Sequence, residues 1–190
     1  AITQAREIIG KKTMVLSLQN GLNNIHQIKK VVPQKQVIAG ITTHGVQFES
    51  PGLIYHKGKG STVVGELSGD KTKRIHHLAS MFNEVGIQVS LSNRIEEDIW
   101  IKAIVNASIN PLTAIFNCEN GYLCKNPILT SMIYKITKES TQVAKKIGFS
   151  CTKDEMIEQT MHVIGQTEHN ISSMLQSLRQ GKPTEINEIN

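Results

Sequence analysis

The stretch "IWIKAIVNASINPLTAIFN" (Ile99 to Asn117) constrains this chain more than any other. It is apolar almost all the way round, as a buried helix is, yet it carries Lys102, Asn106 and Asn110 at intervals of four. Residues four apart share one face of a helix, so these three form a polar stripe, while Trp100, Ile101, Ile104, Val105 and Ile109 give apolar cover elsewhere. An ammonium among apolar neighbours loses hydration. Its pKa then falls from about 10.4 toward neutrality, which makes it a usable proton donor near pH 7. Asparagines beside it can orient a ligand without adding charge. The plainer reading has Lys102 carrying its ammonium to the rim and the asparagines bonding to backbone. For one lysine alone that reading is the better one, and only the three-residue stripe weighs against it. Pro111 has no N–H to continue the helical ladder, so a kink or break is expected there.

The same polar residues make the stretch a poor free-standing membrane span. The opening "AITQAREIIGKK" lacks the apolar core and small-residue cleavage site of a secretory signal, so the expected address is cytoplasmic, with no membrane partner. With 39% hydrophobic and 19% charged residues among 190, the chain can pack one domain or two small ones. Its net charge of +5 could suit nucleic acid, but the lysines are spread along the chain and only 4% of residues are aromatic. Few stacking platforms exist, and no nucleic-acid partner is expected. A small anionic substrate or a phosphorylated cofactor fits the charge equally well. Cys118, Cys124 and Cys151 show neither CxxC spacing nor a zinc-type histidine pattern, so neither a disulfide framework nor a metal site is expected.

"TMVLSLQNGLNNIHQIKKVVP" reads as a strand (Met14 to Leu18), a polar turn, then an amphipathic helix on Leu22, Ile25, Ile28 and Val32, stopped by Pro33. "QVIAGITTHGVQF", "GLIYHKG" and "STVVGEL" are short β-branched runs separated by Gly, Pro and Ser. A helix closed by Gly86 and the strand "IQVSLS" complete an α/β part over residues 1–92. From residue 93 onward helical periodicity takes over: Ile95 to Phe116, Ile128 to Ile147, Lys153 to His169 and Ile171 to Leu178. The chain starts on one helix of an α/β unit and stops inside a helical pattern, which leads us to expect a fragment at both ends.

Other polar stretches have ready structural explanations when read alone. "LQNG" (Leu18 to Gly21) follows a strand at the end where α/β sheets open their ligand crevices, but Asn and Gly also simply suit a βα turn. In "HNISSMLQSLRQGKPTEIN", Gly181 ends one helix and Thr184 can cap the next. That places Glu185 in a first turn, where the helix dipole favours an anion. The glycines of "HKGKGSTVVG" do not fit GxGxxG and read as hairpin glycines.

Together, "LSLQNGLNN", "GITTHGV", "PGLIYHKGKG", "IWIKAIVNASINPLTAIFNCENG", "NISSMLQ" and "PTEIN" resemble, in this order and over nearly the whole chain, the ketopantoate reductases (2-dehydropantoate 2-reductases). The resemblance implies the C-terminal part of a Rossmann-type NAD(P)-binding domain, followed by a helical domain like that of 6-phosphogluconate dehydrogenase. It implies NADPH-dependent reduction of ketopantoate to (R)-pantoate, on the way to pantothenate and coenzyme A. Carried over residue by residue, Lys102 is the general acid, and Asn106, Asn110, Asn120, Asn170, Ser172 and Ser173 hold the substrate, Ser173 foremost. Asn20 lies where substrate and nicotinamide meet, Val46 offers backbone to the cofactor, and Glu185 binds near the substrate hydroxyl and nicotinamide ribose while tuning Lys102. The family's GxGxxG loop is absent, so the pyrophosphate lacks its main cradle, and weak NADPH binding with little turnover is expected of this piece alone. Two alternatives stay open: a paralogous NADP-dependent reductase of another 2-oxo acid, and a non-catalytic helical dimerisation module. A homodimer is compatible with the sequence.

Overall fold

The computed structural model describes residues 2–189, and these form two compact units. Among the described residues, one comprises 2–19 and 23–99, the other 20–22 and 100–189.

The first unit is built on a four-stranded sheet of β1 (Val15–Ser17), β2 (Val37–Thr42), β5 (Thr62–Glu66) and β6 (Val89–Ser92), in that spatial order. β1 and β2 are parallel across α1 (Asn24–Lys29), and β5 and β6 are parallel across α2 (Lys73–Glu84). These are two βαβ units, as a Rossmann-type piece requires. β2 and β5 are antiparallel, because what joins them is no helical crossover but the hairpin of β3 (Gly45–Ser50) and β4 (Leu53–Gly58), which forms a separate two-stranded sheet. Ile38, Val64 and Ile75 lock α2 to the sheet, each at most 1% exposed. Thr72 caps α2 by accepting from the Ile75 N–H, and Gly86 takes the left-handed conformation (φ 83°) that ends it. α1 is shorter than the apolar pattern from Leu22 to Val32 suggests. Leu22 N–H bonds to the Glu188 carbonyl at 3.0 Å, so the first of those residues is used elsewhere.

The second unit is helical. The central helix α3 (Ile95–Phe116) enters it and is followed by α4 (Tyr122–Lys125), α5 (Pro127–Lys146), α6 (Lys153–Gln166), α7 (Ser173–Arg179) and α8 (Ile186–Ile189). By length and hydropathy alone α3 could cross a membrane, but half of that apolar window is buried inside the protein. Its Ile104, Val105, Ile109 and Leu112 pack with Leu123, Leu129, Ile133, Met156 and Ile164 in one core, and Trp100 meets Phe149 with ring centroids 5.9 Å apart. Each fully buried Ile or Leu here contributes about 1.5–3 kcal/mol of apolar burial. α3 runs on through Pro111 rather than breaking. The proline deprives only the Ala107 carbonyl of its helical donor, and burial of both flanking turns outweighs that loss.

Helix ends are set by local chemistry. Asn126 caps α5, accepting from Ile128 N at 2.9 Å ahead of Pro127 in the first turn, and Thr152 with Glu155 forms a reciprocal capping box on α6. Glu185 immediately precedes α8 instead of lying in its first turn, and its carbonyl accepts from Glu188 N at 2.9 Å.

Candidate active site

Within the helical unit, side chains from three segments converge on the Glu185 carboxylate. Oε1 accepts from Asn110 Nδ2 on α3 at 3.2 Å and from Ser173 Oγ at the start of α7 at 3.0 Å. Oε2 faces Asn20 Nδ2 at 3.5 Å, the outer limit of a hydrogen bond. The same Asn20 side chain accepts from Lys102 Nζ through Oδ1 at 2.7 Å. One amide thus stands between cation and anion, its oxygen toward the ammonium and its nitrogen toward the carboxylate, so its orientation is fixed by its two neighbours. Burial pushes the Lys102 pKa below the ordinary lysine value, and the Glu185 charge pushes it part of the way back. The two effects oppose each other, and burial is the larger.

The polar stripe of α3 is not spent uniformly. Asn110, 7% exposed, is committed to Glu185. Asn106 lies one turn from both Lys102 and Asn110, is partly buried, and has no side-chain hydrogen bond among the described residues. Its amide is available to a ligand.

Ser172 is buried and caps α7 through the Leu175 N–H at 3.2 Å. It is reached by Thr113, a residue that reading the sequence missed. The Thr113 hydroxyl, 0% exposed, lies 2.9 Å from the Asn110 carbonyl oxygen and 2.7 Å from Ser172 Oγ. The only signal in the sequence was a hydroxyl three positions after Asn110 inside an apolar run.

Asn120 and Asn170 are placed differently. Asn120 Nδ2 donates to Thr167 Oγ1 at 2.9 Å and its backbone N–H donates to the Asn170 carbonyl at 3.1 Å, which clamps the turn after α3 to the end of α6. Gly121 completes the clamp: its N–H reaches the Glu168 carbonyl at 2.9 Å, and a Cβ there would come within 2.7 Å of Glu168 Cβ. The Asn170 side chain is exposed, and no hydrogen bond among the described residues links either asparagine to the Glu185 network. Val46 lies on β3 of the first unit and is 53% exposed. A groove of about 460 Å³ in the helical unit, lined by Pro127, Tyr134, Lys135 and Lys138 of α5 and Lys153 of α6, contains none of these residues. Among the described residues no cluster of His, Cys, Asp or Glu is arranged to hold a metal ion.

The sheet and its βαβ units followed by helices around a lysine define a Rossmann-type piece joined to a helical unit. Residues 94–190 match the family described as "Ketopantoate reductase PanE/ApbA C terminal" and residues 1–69 match "Ketopantoate reductase PanE/ApbA". The chain belongs to the ketopantoate reductase family. It is 38% identical to the 2-dehydropantoate 2-reductase of Pyrococcus abyssi over all of this chain and 62% of that protein. It is 34% identical to that of Escherichia coli O157:H7 over 94% of this chain and 56% of that protein. The chain therefore spans about three-fifths of the length of these relatives. Among solved structures it is similar to a D-mandelate dehydrogenase bound to NADH (TM-score 0.92, 28% identity, 99% of this chain and 64% of that one). It is also similar to a PanE/ApbA family ketopantoate reductase from Ralstonia eutropha JMP134 (TM-score 0.88, 26% identity, 99% of this chain and 61% of that one).

Proposed function

We propose that this protein is a nicotinamide-dependent oxidoreductase that reduces ketopantoate to pantoate, with NADPH as the reductant. The observation that carries the reading is the partly buried Lys102 ammonium, held by Asn20 and balanced by Glu185. The donor set of the helical unit suits a nicotinamide cofactor: Asn20 offers an amide and Glu185 a carboxylate to a carboxamide or ribose hydroxyl. When bound, the nicotinamide supplies a hydride to the ketone carbon.

The electron pair of the carbonyl π bond then moves onto oxygen, and Lys102 Nζ delivers the proton that turns the nascent alkoxide into the alcohol. The amine is left neutral and takes a proton back from solvent. Lowering the amine pKa favours this transfer, because the donor need not give up a tightly held proton. Glu185 opposes that lowering and so favours the charged form of the amine. Asn106, which has no side-chain hydrogen bond among the described residues, would bond the substrate, and Ser173 presents its hydroxyl at Glu185. The roles of Asn120, Asn170 and Ser172 are indirect in this reading, through the shape of the loop and the α7 start.

The likeness to D-mandelate dehydrogenase favours a second reading, reduction of an aromatic 2-oxo acid by the same lysine. A panel of 2-oxo acids assayed with NADPH and with NADH on the full-length protein separates the two. Preference for ketopantoate with NADPH supports the first reading. Preference for phenylglyoxylate contradicts it and supports the second, and no reduction of any 2-oxo acid overturns both.

A further inference from the structure

We propose that Thr113 is a positioning residue for the active site, holding together the two groups that bind Glu185 Oε1; this rests on the function proposed above. Buried hydroxyls that bond back to their own helix are common and need no special account. Thr141 does so to the Thr137 carbonyl at 2.6 Å and Thr160 to the Met156 carbonyl at 2.7 Å. Thr113 bonds back to Asn110 in the same way, but it also reaches Ser172 on another element.

Those two partners matter because of what lies next to them. Asn110, whose carbonyl takes one of the Thr113 contacts, sends its own side chain to Glu185 Oε1. Ser172 is the cap of α7 and the neighbour of Ser173, whose hydroxyl ends on the same oxygen. A single hydroxyl therefore fixes the spacing between two donors that must meet on one atom. Without it, α7 keeps its cap but can slide against α3, and Glu185 loses one donor or holds both at poor geometry. Lys102 depends on the placing of that carboxylate, so the effect reaches the proton donor although Thr113 touches neither substrate nor cofactor.

Ser108 provides an internal control. Its Oγ lies 2.8 Å from Thr137 Oγ1, a bond between α3 and α5 that is as buried as the Thr113–Ser172 contact and has no hydrogen bond to Glu185. Thr113→Val removes the hydroxyl at constant shape, Thr113→Ser retains it, and Ser108→Ala deletes the control bond. Thr113→Ala replaces the valine variant should that one fail to fold.

In the 190-residue chain, the side-chain amide resonances of Asn110 and the Lys102 titration are followed by NMR. In the full-length protein, kcat and KM for the preferred 2-oxo acid are measured. Thr113→Val is expected to displace the Asn110 amide resonances and lower kcat/KM about tenfold, the scale of one unsatisfied buried partner. Thr113→Ser is expected to restore both, within about twofold, because it returns the same donor. Ser108→Ala is expected to lower the melting temperature while leaving kcat/KM within about twofold of wild type, as a structural bond alone would. If Thr113→Val leaves Asn110 and Lys102 unmoved, or costs no more activity than Ser108→Ala, the proposal is overturned. If the wild-type protein reduces no 2-oxo acid, the functional reading fails, and the NMR comparison still decides whether Thr113 sets the Glu185 geometry.

Discussion

Each unit holds a carboxylate in a polar nest, and the two are held in opposite ways. Glu66, 4% exposed at the end of β5, receives both arms of the Arg74 guanidinium: Nε at 2.7 Å on Oε1 and Nη2 on Oε2. Thr72 adds a hydroxyl at 2.5 Å, and the remaining Arg74 arm donates to the Lys35 carbonyl. Arg74, more than any other neighbour, holds the Glu66 pKa below the usual carboxylate range, and its own is raised in return. A carboxylate matched to a planar fork is fully used, and it ties β5, the start of α2 and the β2 approach together. Glu185 is reached by the neutral groups of Asn20, Asn110 and Ser173, and the cation it influences stands one amide away. Neutral donors satisfy its lone pairs without cancelling its charge, so its field is left to act on Lys102. The same residue type therefore serves architecture in one unit and, in the function proposed above, chemistry in the other.

The sharpest way to break this contrast is Lys102→Ala in the full-length protein. It should lower kcat about 10²-fold or more with little change in melting temperature, the scale for losing a general acid. An unchanged rate would make the Glu185 nest as structural as that of Glu66. Arg74→Met should do the reverse, costing about 2 kcal/mol of stability in denaturant titration, a buried-pair loss discounted for the partly exposed guanidinium, with kcat/KM unaltered. A smaller loss in Glu66→Gln/Arg74→Met than in Arg74→Met alone would locate the cost in the orphaned carboxylate.

Both sites should make stability rise with pH, each in its own window. Glu66 has a depressed folded pKa, so its contribution is complete above the ordinary carboxylate range and is lost as pH falls through the folded value. Glu66→Gln should flatten that acid limb. Lys102 has a depressed folded pKa as a base, so between that value and the ordinary lysine value the unfolded chain binds the extra proton. Stability therefore rises with pH through this window. Activity runs the other way: the general acid must be protonated, so kcat/KM falls as pH rises through the folded Lys102 pKa, and a flat profile there contradicts the assignment. The smallest effect belongs to neither nest. Thr152→Ala should cost about 1 kcal/mol by removing the α6 cap and leave both pH limbs in place.

The helices were the most legible part of the sequence. Long 3.6-residue periodicities with clear stops gave Ile95 to Phe116 as α3 is found, and α5 to within a residue at each end. Legibility failed where tertiary packing overrides a local rule. Of the kink or break expected at Pro111, the break does not occur, because the buried turns on either side carry the helix through it. Glu185 had a sufficient local reason in the dipole of a first turn, yet it precedes the helix and its partners come from Asn20, Asn110 and Ser173, at most 165 positions away. The Glu66–Arg74 pair went unread for the same reason: eight residues apart across a turn, the two have no periodic relation. The stripe Lys102, Asn106, Asn110 was readable because one helix face carries all three. Thr113 was not, since a threonine in an apolar helix reads as a back-bonded hydroxyl until its second partner is seen.

The central claim is that the Lys102 ammonium is partly dehydrated and tuned by Glu185. Titration of the lysine ¹³Cε resonances, with Lys102 assigned by Lys102→Arg, tests it in this chain directly. The account predicts one lysine titrating below the others, and further below in Glu185→Gln, where the opposing charge is gone. Lys102 titrating with the exposed lysines, and unmoved by Glu185→Gln, would contradict it.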